Sequence, residues 1–221
     1  MKKLCIAALA AAALFTTTHV APAQSAFFTY TNVPSGPLAP GATFTIGVTL
    51  NFTAGGGITS VNGLSYWMYQ QSPTSGFPFS ITNRDVTSSL FTDLNSAFTA
   101  YPQRLDPISR NPNGTTVDTD LGALGDFNAT NGTGTYFVST LTFSLDLGAA
   151  AGIYTIGNTT VNSPNGANFE SVVNDANGDA TPIGASTFTI AVVPEPSTYA
   201  LLAVGAIVAG VAVYRRRATA G

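Results

Sequence analysis

The chain has 221 residues, of which 45% are hydrophobic and only 9% are charged, and its formal net charge is −3. It contains one cysteine and one histidine, which excludes a framework of internal disulfides and a histidine-rich metal site. Thr, Val, Ile, Phe and Tyr are frequent while Gly, Asn and Pro punctuate the chain, a composition typical of a β-rich domain.

The N-terminus has the three parts of a secretory signal peptide. Met1-Lys2-Lys3 is basic, residues 4–15 are apolar, and Ala21-Pro22-Ala23 matches an A-x-A cleavage site. We therefore expect cleavage after Ala23, which makes residues 1–23 the signal peptide. An uncleaved N-terminal membrane anchor is the alternative.

Removal of the signal peptide limits the chemistry of the exported part, residues 24–193. Cys5 and His19 leave with the signal, so this part has no Cys, His or Lys. Its three arginines against ten acids leave a formal charge of −7, which argues against nucleic-acid binding because phosphate contacts need a basic surface. A thiolate nucleophile, a histidine base and a His-ligated metal are excluded as well.

Alternating apolar residues predict the strands of the exported part. Thr43–Phe52 is the clearest, because Phe44, Ile46, Val48 and Leu50 alternate with small or polar residues. Further strands are predicted at Phe27–Val33, Ile58–Gln70, Phe79–Thr82, Thr135–Leu147, Gly152–Ile156, Phe169–Val173 and Thr187–Val193. In Thr135–Leu147 we expect one face to carry Phe137, Leu141, Phe143, Leu145 and Leu147.

The remaining segments are predicted to connect these strands. Ser88–Phe98 has Leu90, Leu94 and Phe98 at a spacing of four, which suits a short helix. Tyr101–Asn131 is rich in Pro, Asn, Asp and Gly and is interpreted as a long loop with at most one short strand. Asn174–Ser186 is interpreted as a hairpin loop between the last two strands. Eight or nine short strands indicate an all-β fold, an antiparallel β-sandwich over residues 24–192.

An aromatic strand offers a candidate sugar-binding surface. Leu64, Tyr66 and Met68 are expected on one face and Trp67 and Tyr69 on the other. Exposed aromatic rings on a sandwich face can stack on sugars, so Trp67 and Tyr69 are the candidates. The alternative is that these rings belong to the core.

Two acidic groups are candidate cation sites. Asp118, Asp120 and Asp126, with Asn128 nearby, could bind calcium or act as paired carboxylates in glycoside hydrolysis; a solvated loop is the simpler interpretation.

The second acidic group has oxygen ligands at alternate positions, Asp175, Asn177 and Asp179, as at the start of an EF-hand calcium loop. Ala180 stands where such a loop needs glycine, and Ser186 where it needs a bidentate Glu. A polar hairpin turn is therefore the better interpretation.

The last 29 residues, 193–221, form a three-part tail. Pro194-Glu195-Pro196 is followed by an uncharged apolar run, Tyr199–Tyr214, and then by Arg215-Arg216-Arg217. A helix of 16 residues spans ~24 Å against a hydrocarbon core of ~30 Å, and we expect it to cross the membrane with its tyrosines and arginines at the interfaces. The arginines favour a cytoplasmic C-terminus. A buried core helix is the alternative.

This order of motif, apolar helix and arginines resembles the PEP-CTERM sorting signal of Gram-negative bacteria that make extracellular polysaccharide. The resemblance covers about the last eighth of the chain. It implies recognition by an exosortase, a membrane protease thought to cut near the motif. It also implies an inner-membrane stage with the main domain in the periplasm, followed by a cell-surface or extracellular stage. A stiff proline spacer before a membrane anchor is compatible with this interpretation.

The order of the strands carries a second resemblance. A strand led by Gly41, the aromatic strand at Ser65–Tyr69, and the late pair Leu141–Leu145 and Ala151–Ile156 resemble cohesins and carbohydrate-binding modules of the jelly-roll type. This likeness covers about two-thirds of the chain and implies a fold, not a function.

Three functional hypotheses follow. The first is a non-enzymatic surface or matrix protein with an adhesive or structural sandwich and no catalytic residues. The second is a carbohydrate-binding module, with extracellular polysaccharide as its partner. The third, and weakest, is a secreted hydrolase that uses only carboxylates, because the absence of histidine removes most other hydrolytic mechanisms. No cofactor is expected unless calcium binds.

Overall fold

The computed structural model describes residues 25–55, 58–93, 102–105, 120–125, 131–158, 171–193, 201 and 203–211. The predicted signal peptide, with Ala21 and Ala23, lies outside the described residues. So do the sorting motif Pro194-Glu195-Pro196 and the arginines Arg215-Arg216-Arg217.

The described part of the exported chain is built from β-strands, which confirms the all-β prediction. The strands are β1 (Ser25–Thr31), β2 (Thr43–Thr53), β3 (Gly63–Trp67), β4 (Tyr69–Ser72), β5 (Phe79–Asp85), β6 (Thr92–Asp93), β7 (Gln103–Arg104), β8 (Asp120–Gly125), β9 (Gly134–Leu145), β10 (Gly152–Asn158), β11 (Val172–Asn174), β12 (Ala180–Pro182) and β13 (Ser186–Val192). Neighbouring strands in the sheets pair antiparallel.

The strands form two layers around one core. One layer is the sheet β1-β2-β9-β5-β7, and the other combines the sheets β13-β10-β4 and β12-β11-β3-β8-β6. Only Met68 separates β3 from β4, so these consecutive strands connect the two sheets of the second layer to each other. Aromatic rings meet between the layers: Phe28 lies 5.5 Å from Tyr66, and Phe143 lies 6.0 Å from Phe188, measured between ring centroids.

The alternation in β2 follows the sequence prediction. Ile46, Val48 and Leu50 are buried in the core, and Phe44 packs against it with its ring stacked 5.1 Å from that of Phe143. Gly47 is also buried, because its backbone lies against the Thr31 side chain of β1. The small residue therefore permits the close approach of the edge strand.

A β-bulge changes the predicted inner face of β9. Ser139 pairs with Val48 but Phe137 pairs with Thr49, so Val138 is the extra residue. Val138 is therefore buried while Phe137 is only half-buried. Leu147 lies beyond the end of the strand and is exposed. The prediction that Phe137 and Leu147 share the inner face with Leu141, Phe143 and Leu145 is wrong.

Three predicted connections also differ from the structure. Residues 88–91 form turns and bends that lead into β6, so the described part of Ser88–Phe98 is not helical. The predicted loop Tyr101–Asn131 contains two strands, β7 and β8. Asn174–Ser186 contains β12, which pairs with β11, whereas β13 pairs with β10 in another sheet. Pairing with distant strands supplies the hydrogen bonds that the local sequence does not indicate.

Candidate functional site

The two candidate sugar-binding aromatics lie on the outer face of the sandwich. Leu64, Tyr66 and Met68 are buried, while Trp67 and Tyr69 are half-buried on the opposite side of the same strands. The backbone N–H of Trp67 donates to the Ser171 Oγ at 3.0 Å, which fixes the strand at this point. The predicted division of the two faces is confirmed.

The carboxylates proposed for hydrolysis fall mostly outside the described residues. Asp118, Asp126 and Asn128 are not described, and for Asp120 only the backbone is. Asp120 begins β8 and is the backbone partner of Trp67 in β3. Tertiary pairing therefore brings a candidate acid position beside a candidate aromatic position, although 52 residues separate the two in the sequence.

Asp175, Asn177 and Asp179 form the turn between β11 and β12. The Asp175 Oδ1 accepts the backbone N–H groups of Asn177 at 2.8 Å and Asp179 at 3.0 Å, and Gly178 adopts a φ of +86°. This carboxylate oxygen is thus already bound within its own turn. Among the described residues, no cluster of three or more His, Cys, Asp or Glu could hold a metal ion. The geometry favours a polar hairpin turn over a calcium loop.

The end of the sandwich from which the tail leaves is defined by three loops. We call it the exit end: residues 32–42, 73–78 and 146–151, together with Val193. The antiparallel register places these loops together, because Thr43 pairs with Ser144, Phe79 with Leu145, and Gly152 with Val192. No local signal in the sequence indicates this assembly.

Backbone hydrogen bonds hold the chain at the exit end until its last described sandwich residue. The Leu38 N–H donates to the Ala191 carbonyl at 2.8 Å, and the Val193 N–H donates to the Leu38 carbonyl at 2.9 Å. Leu38 thereby forms a parallel bridge with Val192. The loop 32–42 thus supports the edge of β13 up to the residue before Pro194.

A groove of about 490 Å³ opens at the exit end between residues 73–78 and 148–154. Arg104 lines this groove, with its guanidinium 2.8 Å from the Asp146 carboxylate and donating to the Phe77 carbonyl. The Tyr154 hydroxyl donates to the Ala150 carbonyl at 2.7 Å, and burial raises the pKa of this hydroxyl. The groove is therefore mainly apolar with one ion pair, which is half-exposed.

Only part of the predicted membrane helix is described. Residues 201 and 203–211 are helical, and their side chains are exposed. In the described part of the chain, no helix has the length and apolar character needed to cross a membrane. The ends of the predicted helix, including Tyr199 and Tyr214, lie outside the described residues.

The C-terminal tail matches a known protein-sorting motif. Residues 192–217 match the PEP-CTERM protein-sorting motif. The resemblance inferred from Pro194-Glu195-Pro196, the apolar run and the arginines is thereby confirmed. A PEP-CTERM motif implies export, anchoring in a membrane before processing, and sorting by an exosortase. In this chain the match begins at Val192, the last residue of β13, so the sorting motif follows the sandwich without a linker.

Solved structures similar to the sandwich are cohesin modules, which have a β-sandwich fold. The cohesin module of a Clostridium perfringens family 33 glycoside hydrolase is 10% identical, covers 78% of this chain and all of its own, and has a TM-score of 0.45. CaCohA2 from Clostridium acetobutylicum is 16% identical over 77% of this chain and 92% of its own, with a TM-score of 0.44. A ScaB cohesin from Pseudobacteroides cellulosolvens is 11% identical over 77% and 93%, with a TM-score of 0.42. No curated protein matches the chain.

Proposed function

We propose that this protein is exported, held in the inner membrane by its C-terminal tail, and released by an exosortase to the cell surface or the extracellular matrix. The observation that carries the proposal is the sorting motif at residues 192–217, which begins where the last strand ends. The N-terminus also supports export, because its basic segment, its apolar segment and the Ala21-Pro22-Ala23 site match a secretory signal peptide.

The released sandwich acts as a structural or adhesive module without enzymatic activity. The exported sequence offers no thiol, imidazole or lysine amine, so the usual nucleophiles and general bases other than carboxylates and hydroxyls are missing. A sandwich of two β-layers with a continuous apolar core provides a stable body for such a role.

Mass spectrometry of the protein made in its own host tests the sorting proposal. We expect a C-terminus near Pro194–Ser197 in material outside the membrane. Alanine at Pro194, Glu195 and Pro196 should leave the chain intact in the inner membrane. Pro182→Ala, which changes an exposed proline in β12, is the matched control and should be processed normally. An unaltered chain ending at Gly221, found only in the inner membrane, would refute the proposal.

Binding of extracellular polysaccharide is a second candidate function. Trp67 and Tyr69 both lie half-exposed on the outer face while Met68 between them is buried, so two aromatic side chains lie on one surface. Each ring that stacks on a sugar combines apolar contact with a favourable orientation of the sugar's C–H groups.

A binding assay with host polysaccharide tests this second candidate. Trp67→Ala and Tyr69→Ala should each weaken retention of the purified domain on the polysaccharide. Phe27→Ala is the matched control, because Phe27 is an exposed aromatic on β1 in the other layer. Equal retention of all three variants and the unaltered domain would exclude the proposed surface.

A further inference from the structure

The exit end exposes several large apolar side chains to solvent. Leu147 is 76% exposed, Ile153 at the start of β10 is 70% exposed, and Val193 is 36% exposed. Ile153 pairs with Ala191, so Ile153, Ala191 and Val193 lie beside one another on the outer face at this end. Leu147 projects from the adjoining loop 146–151, where its side chain contacts Gly41.

The exit end is also nearly free of charge. Its three loops contain a single ionisable side chain, Asp146, and this carboxylate is paired with Arg104 at 2.8 Å. Other acids lie at the far end of the sandwich. Asp85 ends β5, whose first residue Phe79 is at the exit end, and the turn 175–179 follows Asn174, which pairs with Gly63 at the start of β3.

The tail keeps the exit end close to the described helix. Eight residue steps separate Val193 from the first described helical residue, Leu201. A fully extended chain covers at most about 3.6 Å per residue, so this distance is at most about 29 Å. The described helical residues are uncharged and exposed, and their large apolar side chains are Leu201, Val204, Ile207, Val208 and Val211.

We propose that the exit end rests on the bilayer surface before the tail is cut, with Leu147, Ile153 and Val193 in the interfacial region of the lipid. This inference rests on the membrane anchoring in the proposed function. A helix held in the bilayer brings the exit end within reach of lipid, and moving the apolar side chains of the exit end out of water is favourable. In this orientation the acids placed at the far end, Asp85, Asp175 and Asp179, lie away from anionic headgroups, which would repel them.

Contact with the bilayer also gives the exit end a role in processing. Hydrogen bonds from Leu38 hold β13 up to Val193, so the residues that follow start at a fixed point on the membrane-facing surface. Val193, the residue before Pro194, is then held at the bilayer surface, close to a membrane-embedded protease. Release from the tail leaves the same apolar surface exposed on the product.

Fluorescent labels on residues 24–221, the chain without its signal peptide and with its tail intact, in anionic phospholipid vesicles test the inference. The exported sequence has no cysteine, so single variants can be labelled with an environment-sensitive dye. Leu147→Cys and Ile153→Cys report on the exit end, and Val208→Cys reports on the helix. Leu90→Cys is the matched control, because Leu90 is a 61% exposed leucine beyond the far end of β5.

We expect lipids with a nitroxide near the headgroup to quench the labels at 147 and 153 several times more strongly than the label at 90. Quenching only at 208 would overturn the inference while leaving the membrane anchor intact. An absence of quenching at all four positions would overturn the anchor and the inference together. Quenching by nitroxide-labelled protein in place of labelled lipid would identify a second copy of the chain as the occupant and overturn the inference.

Discussion

At the residue scale, a buried asparagine joins three segments of the sandwich. The Asn158 Nδ2 donates to the Gly184 carbonyl at 3.0 Å, while its Oδ1 accepts the Ser186 N–H at 3.0 Å and the Tyr30 hydroxyl at 3.1 Å. These bonds satisfy a fully buried amide, whose desolvation would otherwise be costly. Asn158 therefore specifies how β1 and the start of β13 meet at the end of β10.

The Tyr30 hydroxyl in this network predicts a loss of stability in alkali. Burial raises its pKa far above the usual value near 10, and the N–H bond from Asn158 lowers it only in part. The unfolded state therefore releases the Tyr30 proton at a lower pH than the folded state does. The contribution of the hydroxyl to the free energy of unfolding is fully present below pH 10 and is lost as the pH rises further. We expect Tyr30→Phe to reduce the slope of unfolding free energy against pH above 10, measured by urea denaturation. An unchanged slope would contradict this prediction.

A second residue-scale prediction concerns the bond between the layers. The Tyr66 and Ser139 hydroxyls lie 2.7 Å apart in the core and connect β3 with β9. A double-mutant cycle with Tyr66→Phe and Ser139→Ala should give a coupling of about 1 kcal/mol in unfolding free energy. The exposed pair of Thr135 and Asn51, at 3.0 Å, is the control and should couple by a few tenths of a kcal/mol or less. Equal coupling energies in the two cycles would contradict a larger contribution from the buried hydrogen bond.

At the scale of the element, close approach of two strands depends on a glycine. Gly157 in β10 pairs with Thr187 in β13. A Cβ atom at Gly157 would collide with the Ser186 carbonyl oxygen and lie 2.8 Å from the Thr187 Cα. Since both atoms belong to the backbone, no rotation of a side chain can relieve the contact.

Gly157→Ala should therefore destabilise the sandwich by about 1–3 kcal/mol, the usual effect of inserting a methyl group into filled space. Gly148→Ala is the control, because a Cβ atom there would meet nothing within 4 Å. Thermal unfolding should show a lower Tm for the first variant and an almost unchanged Tm for the second. Similar melting temperatures for both would mean that the two strands separate easily.

At the scale of the whole molecule, the sandwich is complete at Val193. The Leu38 carbonyl accepts the Val193 N–H, the last backbone hydrogen bond within the described sandwich, and Pro194-Glu195-Pro196 follows directly in the sequence. The proposed processing at Pro194-Glu195-Pro196 would therefore separate the domain from its anchor without removing any part of β13.

Truncation checks this separation. A chain ending at Pro196 should melt at the temperature of the full-length protein, since it keeps all thirteen described strands. A chain ending at Thr189 loses the buried Ile190 and Val192, whose side chains each contribute about 1.5–3 kcal/mol, and three of the seven residue pairs between β10 and β13. Against a total of about 5–15 kcal/mol, we expect this chain to be largely unfolded by circular dichroism. A folded chain ending at Thr189 would contradict the prediction.

The sequence by itself determined the class of fold, the alternating faces of β2 and β3, and the sorting tail, because each depends on residues close together in the chain. Period-two alternation buries Ile46 and Tyr66 whatever their partners are. The tail is recognised from a motif, an apolar run and arginines in one order.

Only the tertiary structure decided the features that depend on distant pairing. The bulge at Val138 arises from the register between β9 and β2, and it turns Phe137 away from the predicted face. The strands β8 and β12 form because β3 and β11 offer free edges to segments with weak intrinsic preference. The exit end exists because loops 32–42, 73–78 and 146–151 come from strands whose partners lie far apart in sequence, and such contacts leave no local pattern.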